Sequence, residues 1–139
     1  MVHALREAHR VLKPEGLLLD VRPAPSHRRV GILSPTGQWK LVAPMKENLD
    51  DDRAANAAIK TAIGEKLFKR EAYSSVDLRR HVDTMSDFQA WLKEFSTFGA
   101  FPPHDWIVPK VKTALARASR KAKIVVRGAL EIRVLSKTH

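Results

Sequence analysis

Leu17-Leu18-Leu19-Asp20-Val21 is a short, nearly continuous apolar run, and the Lys13-Pro14-Glu15-Gly16 turn directly before it sets where it begins. Such runs, bounded by turn signals, suit a strand buried on both faces, as in a parallel sheet. The segment ahead of the turn reads as a helix over residues 2–12, with Leu5, Ala8 and Leu12 on one face and Val11 beside them. Pro14 cannot continue the helical hydrogen bonding and stops it. Helix, stop and apolar strand in immediate succession point to a layered α/β fold.

The rest of the chain supplies the other layers. Residues 28–43 predict a hairpin: Val30 and Ile32 on one arm and Trp39 and Leu41 on the other, with Pro35-Thr36-Gly37-Gln38 as the turn. A helix is expected over about 48–67, with Asn48 as its cap. Asp50, Asp51 and Asp52 sit where the helix dipole favours anions. Val76, Leu78 and Val82 suggest a strand within 74–84. The helix that follows has Ser86 and Gln89 in a capping-box pattern and Phe88, Trp91, Leu92, Phe95 and Phe98 on one face. Pro102-Pro103 separates it from a helix over about 105–121, capped by Asp105, with Val111, Ala114, Leu115 and Ala118 as its apolar stripe. The segment Lys123 to Lys137 alternates. Ile124, Val126, Leu130, Ile132 and Val134 face one way, and Arg127, Glu131 and Arg133 the other, which predicts an antiparallel strand with one wet face. Gly128 marks a bulge or a close backbone approach.

The hydrophobic fraction of 44% supports a real core, and 139 residues make one domain, 1–139. With no cysteine, disulfides, thiolate zinc sites and a cysteine nucleophile are excluded. No apolar run approaches the roughly 20 residues needed to cross a bilayer. The first residues lack a signal-peptide core, so a soluble, cytoplasmic protein without membrane partners is expected. Lys and Arg total 25 against 15 acids, a net charge of +10, which attracts anions without saying anything about fold.

The stretch Ala4-Leu5-Arg6-Glu7-Ala8-His9-Arg10-Val11-Leu12-Lys13-Pro14-Glu15-Gly16-Leu17-Leu18-Leu19 resembles class I S-adenosylmethionine (SAM)-dependent methyltransferases, of the type 11-like group. In that family a helix ending in Arg-Val-Leu-Lys-Pro-Gly-Gly leads into the fifth strand of the sheet. Here Glu15 replaces the first Gly and Gly16 is kept. The match is specific over about 20 residues. Beyond Pro23 it is architectural, since the family also ends with helices and an antiparallel strand pair. The resemblance implies a partial Rossmann-like methyltransferase sheet, mixed in direction, with an antiparallel hairpin and carboxyl-terminal strand and about four flanking helices.

It also implies what is lacking. The family's Gly-rich turn after the first strand, and the acidic residue ending the second, hold SAM. Both lie upstream of the matched stretch and have no counterpart in these residues. The six glycines are scattered singly. The chain alone is therefore expected to bind no SAM, and no residue is assigned a catalytic, cofactor-binding or metal-binding role. A fifth strand without its neighbours has an open edge and a bare face, which drive association. A homo-oligomer, a partner chain covering that edge, or a hairpin rearranged over it is expected.

Two residue sets remain as candidates. Asp20 and Arg22 end the Leu17–Val21 strand, where α/β folds face their ligands; the competing reading is a local ion pair. Lys110, Lys112, Arg117, Arg120, Lys121, Lys123 and Arg127 form a basic stretch without an intervening acid. On a helix Arg117, Arg120 and Lys121 share a face that suits phosphates, though no aromatics are interleaved for base stacking. Three functions follow: a methyltransferase-like domain not competent alone, a nucleic-acid or polyanion-binding module, or a methyltransferase completed by a partner chain or oligomer. Calling the chain an enzyme is premature on these residues.

Overall fold

The computed structural model describes residues 1–97 and 105–139. Phe98 and the Pro102-Pro103 break lie outside the described residues. In order, the elements are α1 (Val2–Val11), β1 (Leu17–Pro23), β2 (Arg29–Leu33), β3 (Trp39–Pro44), α2 (Asp50–Gly64), β4 (Phe68–Val82), α3 (Met85–Ser96), α4 (Ile107–Arg117) and β5 (Lys123–Lys137). The fold is mixed α/β, with four helices and five antiparallel-paired strands among the described residues. No described helix is long and apolar enough to cross a membrane. The chain divides into two compact units, to each of which β4 and β5 contribute one half.

The first unit comprises Met1–Pro25, Leu49–Val76 and Ala129–His139. Contrary to the parallel setting that its apolar run suggests, β1 pairs antiparallel with β5, Leu18 opposite Leu135 and Asp20 opposite Arg133. β4 pairs the other edge of β5, also antiparallel, since Ser136 meets Lys69 and Tyr73 meets Glu131. β1 and β4 therefore run parallel with β5 between them, and the chain that joins them passes through β2, β3 and α2. Ile59, Ala62, Phe68 and Leu135 form the buried core, against which Leu5, Ala8, Leu12 and Leu18 pack. The N-cap position of α2 is Leu49, not the expected Asn48, and it makes no side-chain cap; Asp50, Asp51 and Asp52 do occupy the first turn.

The α1–β1 turn explains its own sequence. Glu15 has a φ of 61°, in the left-handed region where a Cβ is strained. A Cβ on Gly16 would lie 2.8 Å from the Lys13 carbonyl oxygen, so this position requires glycine.

The second unit comprises Ser26–Asn48 and Asp77–Gly128. β2 pairs with β3 and with β5, Val30 opposite Val126 and Ile32 opposite Ile124. These four side chains meet Phe88 and Leu92 of α3 and Ile107 and Val111 of α4 in the core. The expected hairpin forms, and Gly37 takes a φ of 89° in its turn. Its bulge lies at Val30/Gly31, where Trp39 crosses the strand so closely that a Cβ on Gly31 would meet the indole at 2.3 Å. Gly128 marks neither a register shift nor a close backbone approach: what a Cβ there would meet is the Arg28 side chain, at 3.3 Å. α3 is capped by Thr84, whose hydroxyl accepts from the Asp87 amide at 3.1 Å, rather than by Ser86. α4 starts after Trp106, not with an Asp105 side-chain cap, and ends at Arg117, short of the expected 121.

Replacing Glu15 with Gly should raise stability by about 0.5–1 kcal/mol through relief of the left-handed strain. Gly16→Ala should lower it. Urea denaturation of the two variants checks both signs.

Candidate functional site

In the first unit, the polarity of β5 is the reverse of what its alternation predicts, and β1, expected to be buried on both faces, is covered on one only. Leu18, Asp20 and Arg22 stand opposite Leu135, Arg133 and Glu131. This face lies under the helices: Leu18 and Leu135 join the core with Ile59 and Ala62, and Arg22 donates to Asn56 Oδ1 of α2 at 3.1 Å. The face expected to be wet is covered. On the other face, Leu17, Leu19 and Val21 are 62, 63 and 48% exposed. Opposite Leu19 and Val21 stand Val134 and Ile132, half-buried. The outer edge of β1 has no strand partner among the described residues.

The covered charges close on one another. Arg22 donates to both Asp20 oxygens, at 2.6 and 2.9 Å. Arg133 donates to Asp20 Oδ2 at 3.1 Å and to Glu131. Tyr73 donates its hydroxyl to Glu131 at 3.2 Å, and the Arg133 guanidinium sits 5.5 Å from the Tyr73 ring centre. Asp20, Arg133 and Glu131 keep only 12, 11 and 14% of their side-chain surface exposed. Two cations and two anions cancel, so the cluster can be buried without a net charge. Burial opposes ionisation of Asp20, but the hydrogen bonds and charges of Arg22 and Arg133 outweigh it and hold the carboxyl below the ordinary aspartate range. Burial likewise opposes charge on Arg133, and Glu131 and Asp20 overcome it, raising its pKa. Asp20 and Arg22 thus form the local ion pair, in a larger network under α2.

The basic stretch is divided by the fold. Lys110, Lys112 and Arg117 lie on α4, Arg120 and Lys121 in the turn after it, and Lys123 and Arg127 on β5. Because α4 ends at Arg117, the helical face that would join Arg117, Arg120 and Lys121 does not form. Lys123 pairs with Asp83 at 2.8 Å and Arg127 with Asp77 at 2.9 Å. Lys110 lies 5.2 Å from the Trp106 ring centre. Arg127 and Arg29 lie 5.0 and 5.7 Å from that of Trp39. In space the basic stretch does meet aromatic rings, Trp39 of β3 and Trp106 ahead of α4, and its own cations lie against them.

Hollows lie in the second unit among the described residues, two of them with mixed charged and apolar linings. One, of about 380 Å³, is lined by Arg28, Arg80, Trp91, Glu94 and Phe95 among others. Glu47 already neutralises Arg28, whose guanidinium covers Phe95 at 4.6 Å. The other is a groove of about 730 Å³ between β3 and α4, lined by Lys40, Leu41, Val42, Ala114, Arg117 and Ala118 among others. Among the described residues no cluster of His, Asp and Glu could hold a metal ion. His9 stacks edge-on to Phe68 and bonds the Thr138 carbonyl, a packing role. Comparison with family models, with curated proteins and with solved structures finds no match for this chain.

Arg133 and Glu131 carry the buried network with Asp20, and sequence reading assigned them to the solvent face. The alternation does separate the two faces, but which one the helices cover depends on elements distant in sequence.

Arg133→Met should cost about 3–5 kcal/mol, because it leaves Asp20 and Glu131 buried with too little positive charge. The Asp20 carboxyl titrates lower when folded than unfolded. Its contribution is therefore full above the unfolded value of about 3.9 and is lost as pH falls through the depressed folded value. Urea midpoints followed from pH 6 to pH 2 should fall less steeply in Asp20→Asn than in the parent chain.

Proposed function

We propose that this chain is the carboxyl-terminal part of a class I methyltransferase-related fold, without SAM-dependent catalysis of its own. The observation that carries the reading is the bare face and free edge of β1. A strand whose apolar side chains Leu17, Leu19 and Val21 are half to two-thirds exposed is built for a larger sheet. Burying one such side chain fully stabilises by about 1.5–3 kcal/mol, so covering this face offers a substantial drive to association.

Three further observations support it. The helix–turn–strand from Ala4 to Val21 has the family's pattern, and Glu15 adopts the left-handed backbone for which the family's Gly is suited. β4 and β5 make an antiparallel pair beside β1, as the family's sheet ends. Asp20 and Arg22, at the strand end that faces ligands in complete α/β sheets, are consumed by each other and by Arg133. Among the described residues of that strand end, Asp20 and Arg22 are both paired.

On this reading SAM would be held by the strands that carry the Gly-rich turn, contributed by a partner polypeptide or by residues outside these 139. This chain would supply scaffold: an edge to pair with and an apolar face to cover. Calorimetry tests the two halves of the proposal. The chain alone should take up no SAM at micromolar concentration. Mixed with a polypeptide carrying the first four strands of a class I methyltransferase, it should form a complex that Leu17→Lys/Leu19→Lys abolishes. Micromolar SAM binding by the chain alone, or indifference of the complex to that double substitution, would refute the assignment.

A further inference from the structure

We infer that the groove between β3 and α4 is a docking site for an extended acidic segment of a partner protein, bound by strand addition to β3. β3 pairs with β2 alone, so its other edge is free among the described residues. An edge strand carries unpaired backbone N–H and C=O groups, which are a template for another strand. The groove runs along residues 38–42, a length of about 17 Å at strand spacing, enough for five residues of an extended chain. Its far wall is α4 and the residue that ends it, where the small side chains Ala114 and Ala118 leave room for a backbone beside β3. Leu41, 48% exposed, and Val42 give alternate side chains of an added strand something apolar to meet.

Charge selects the occupant. Lys40 and Arg117 line the groove, Lys110 lines the cleft that adjoins it, and no acidic residue lines either. Arg117 and Lys40 have no ion-pair partner among the described residues. A second copy of this chain, at a net charge of +10, is repelled by such a site. A single-stranded nucleic acid would share the anionic character but needs open aromatic faces. The nearest indole, Trp39, is spent: its Nε1 donates to the Val125 carbonyl at 3.2 Å, and Arg127 and Arg29 sit against its ring. Backbone pairing with charge-steered side chains is what these groups offer.

The inference is independent of the methyltransferase reading, since every residue it uses belongs to the second unit. The test uses the full chain and a short fluorescein-labelled peptide alternating Glu and Val, followed by anisotropy at low ionic strength. The peptide should bind. The same peptide N-methylated at alternate amides keeps its charge and loses the ladder, and should bind about tenfold more weakly or not at all. Lys40→Glu/Arg117→Glu, both on the surface of the groove, should weaken the parent peptide by a similar factor with an unchanged circular dichroism spectrum. Equal affinity for the N-methylated peptide would show charge attraction without strand addition and overturn the proposal. So would tighter binding of oligothymidylate than of the peptide, or no binding of the peptide at all.

Discussion

The hydrogen-bond ladder of β5 is what the rest of the structure depends on. In the first unit its residues Leu130–Ser136 hold β1, and in the second its residues Lys123–Arg127 hold β2. β4 pairs along its other edge. Backbone groups buried in a sheet must be paired, so one long strand at the end of the sequence decides where earlier strands can lie. Neither β1 nor β2 finds its partner nearby in sequence, apart from the β2–β3 hairpin.

The side-chain consequence is unusual in the first unit. A sheet normally turns its apolar face to the helices and its charges to water. Here Asp20, Arg22, Glu131 and Arg133 go under α2, and Leu17, Leu19 and Val21 face outward. The arrangement is tolerable because the four charges sum to zero and hydrogen-bond one another, and because Leu18 and Leu135 supply the apolar contact with α1 and α2. It leaves Leu17, Leu19 and Val21 as an exposed apolar face. The proposed function follows from that face, not from any group capable of chemistry.

Much of the architecture was legible in residues close together. The Lys13-Pro14-Glu15-Gly16 stop, the Pro35–Gln38 turn and the alternation from Lys123 to Lys137 each rest on local backbone chemistry, and each forms where it was read. Sequence pattern and structure part where one local signal competes with another. Thr84 with Asp87 caps α3 in place of Ser86 with Gln89, a rival pattern two residues away. α4 stops at Arg117 although the stripe continues to Ala118, whose extended backbone ends the helix. β4 begins at Phe68, well before the expected residue 74, because most of its side chains are exposed and its sequence therefore carries little alternation.

By itself, then, the sequence determined most of the elements, the charge balance and the Lys13–Gly16 turn, since propensity and turn chemistry act over a few residues. Only the tertiary structure decided which face of each strand is covered. A two-residue period distinguishes one face from the other but contains no term for the distant helix that lands on it. The same limit hid the groove beside β3. Lys40 and Arg117 are far apart along the chain, and packing alone brings them to opposite walls of one cleft.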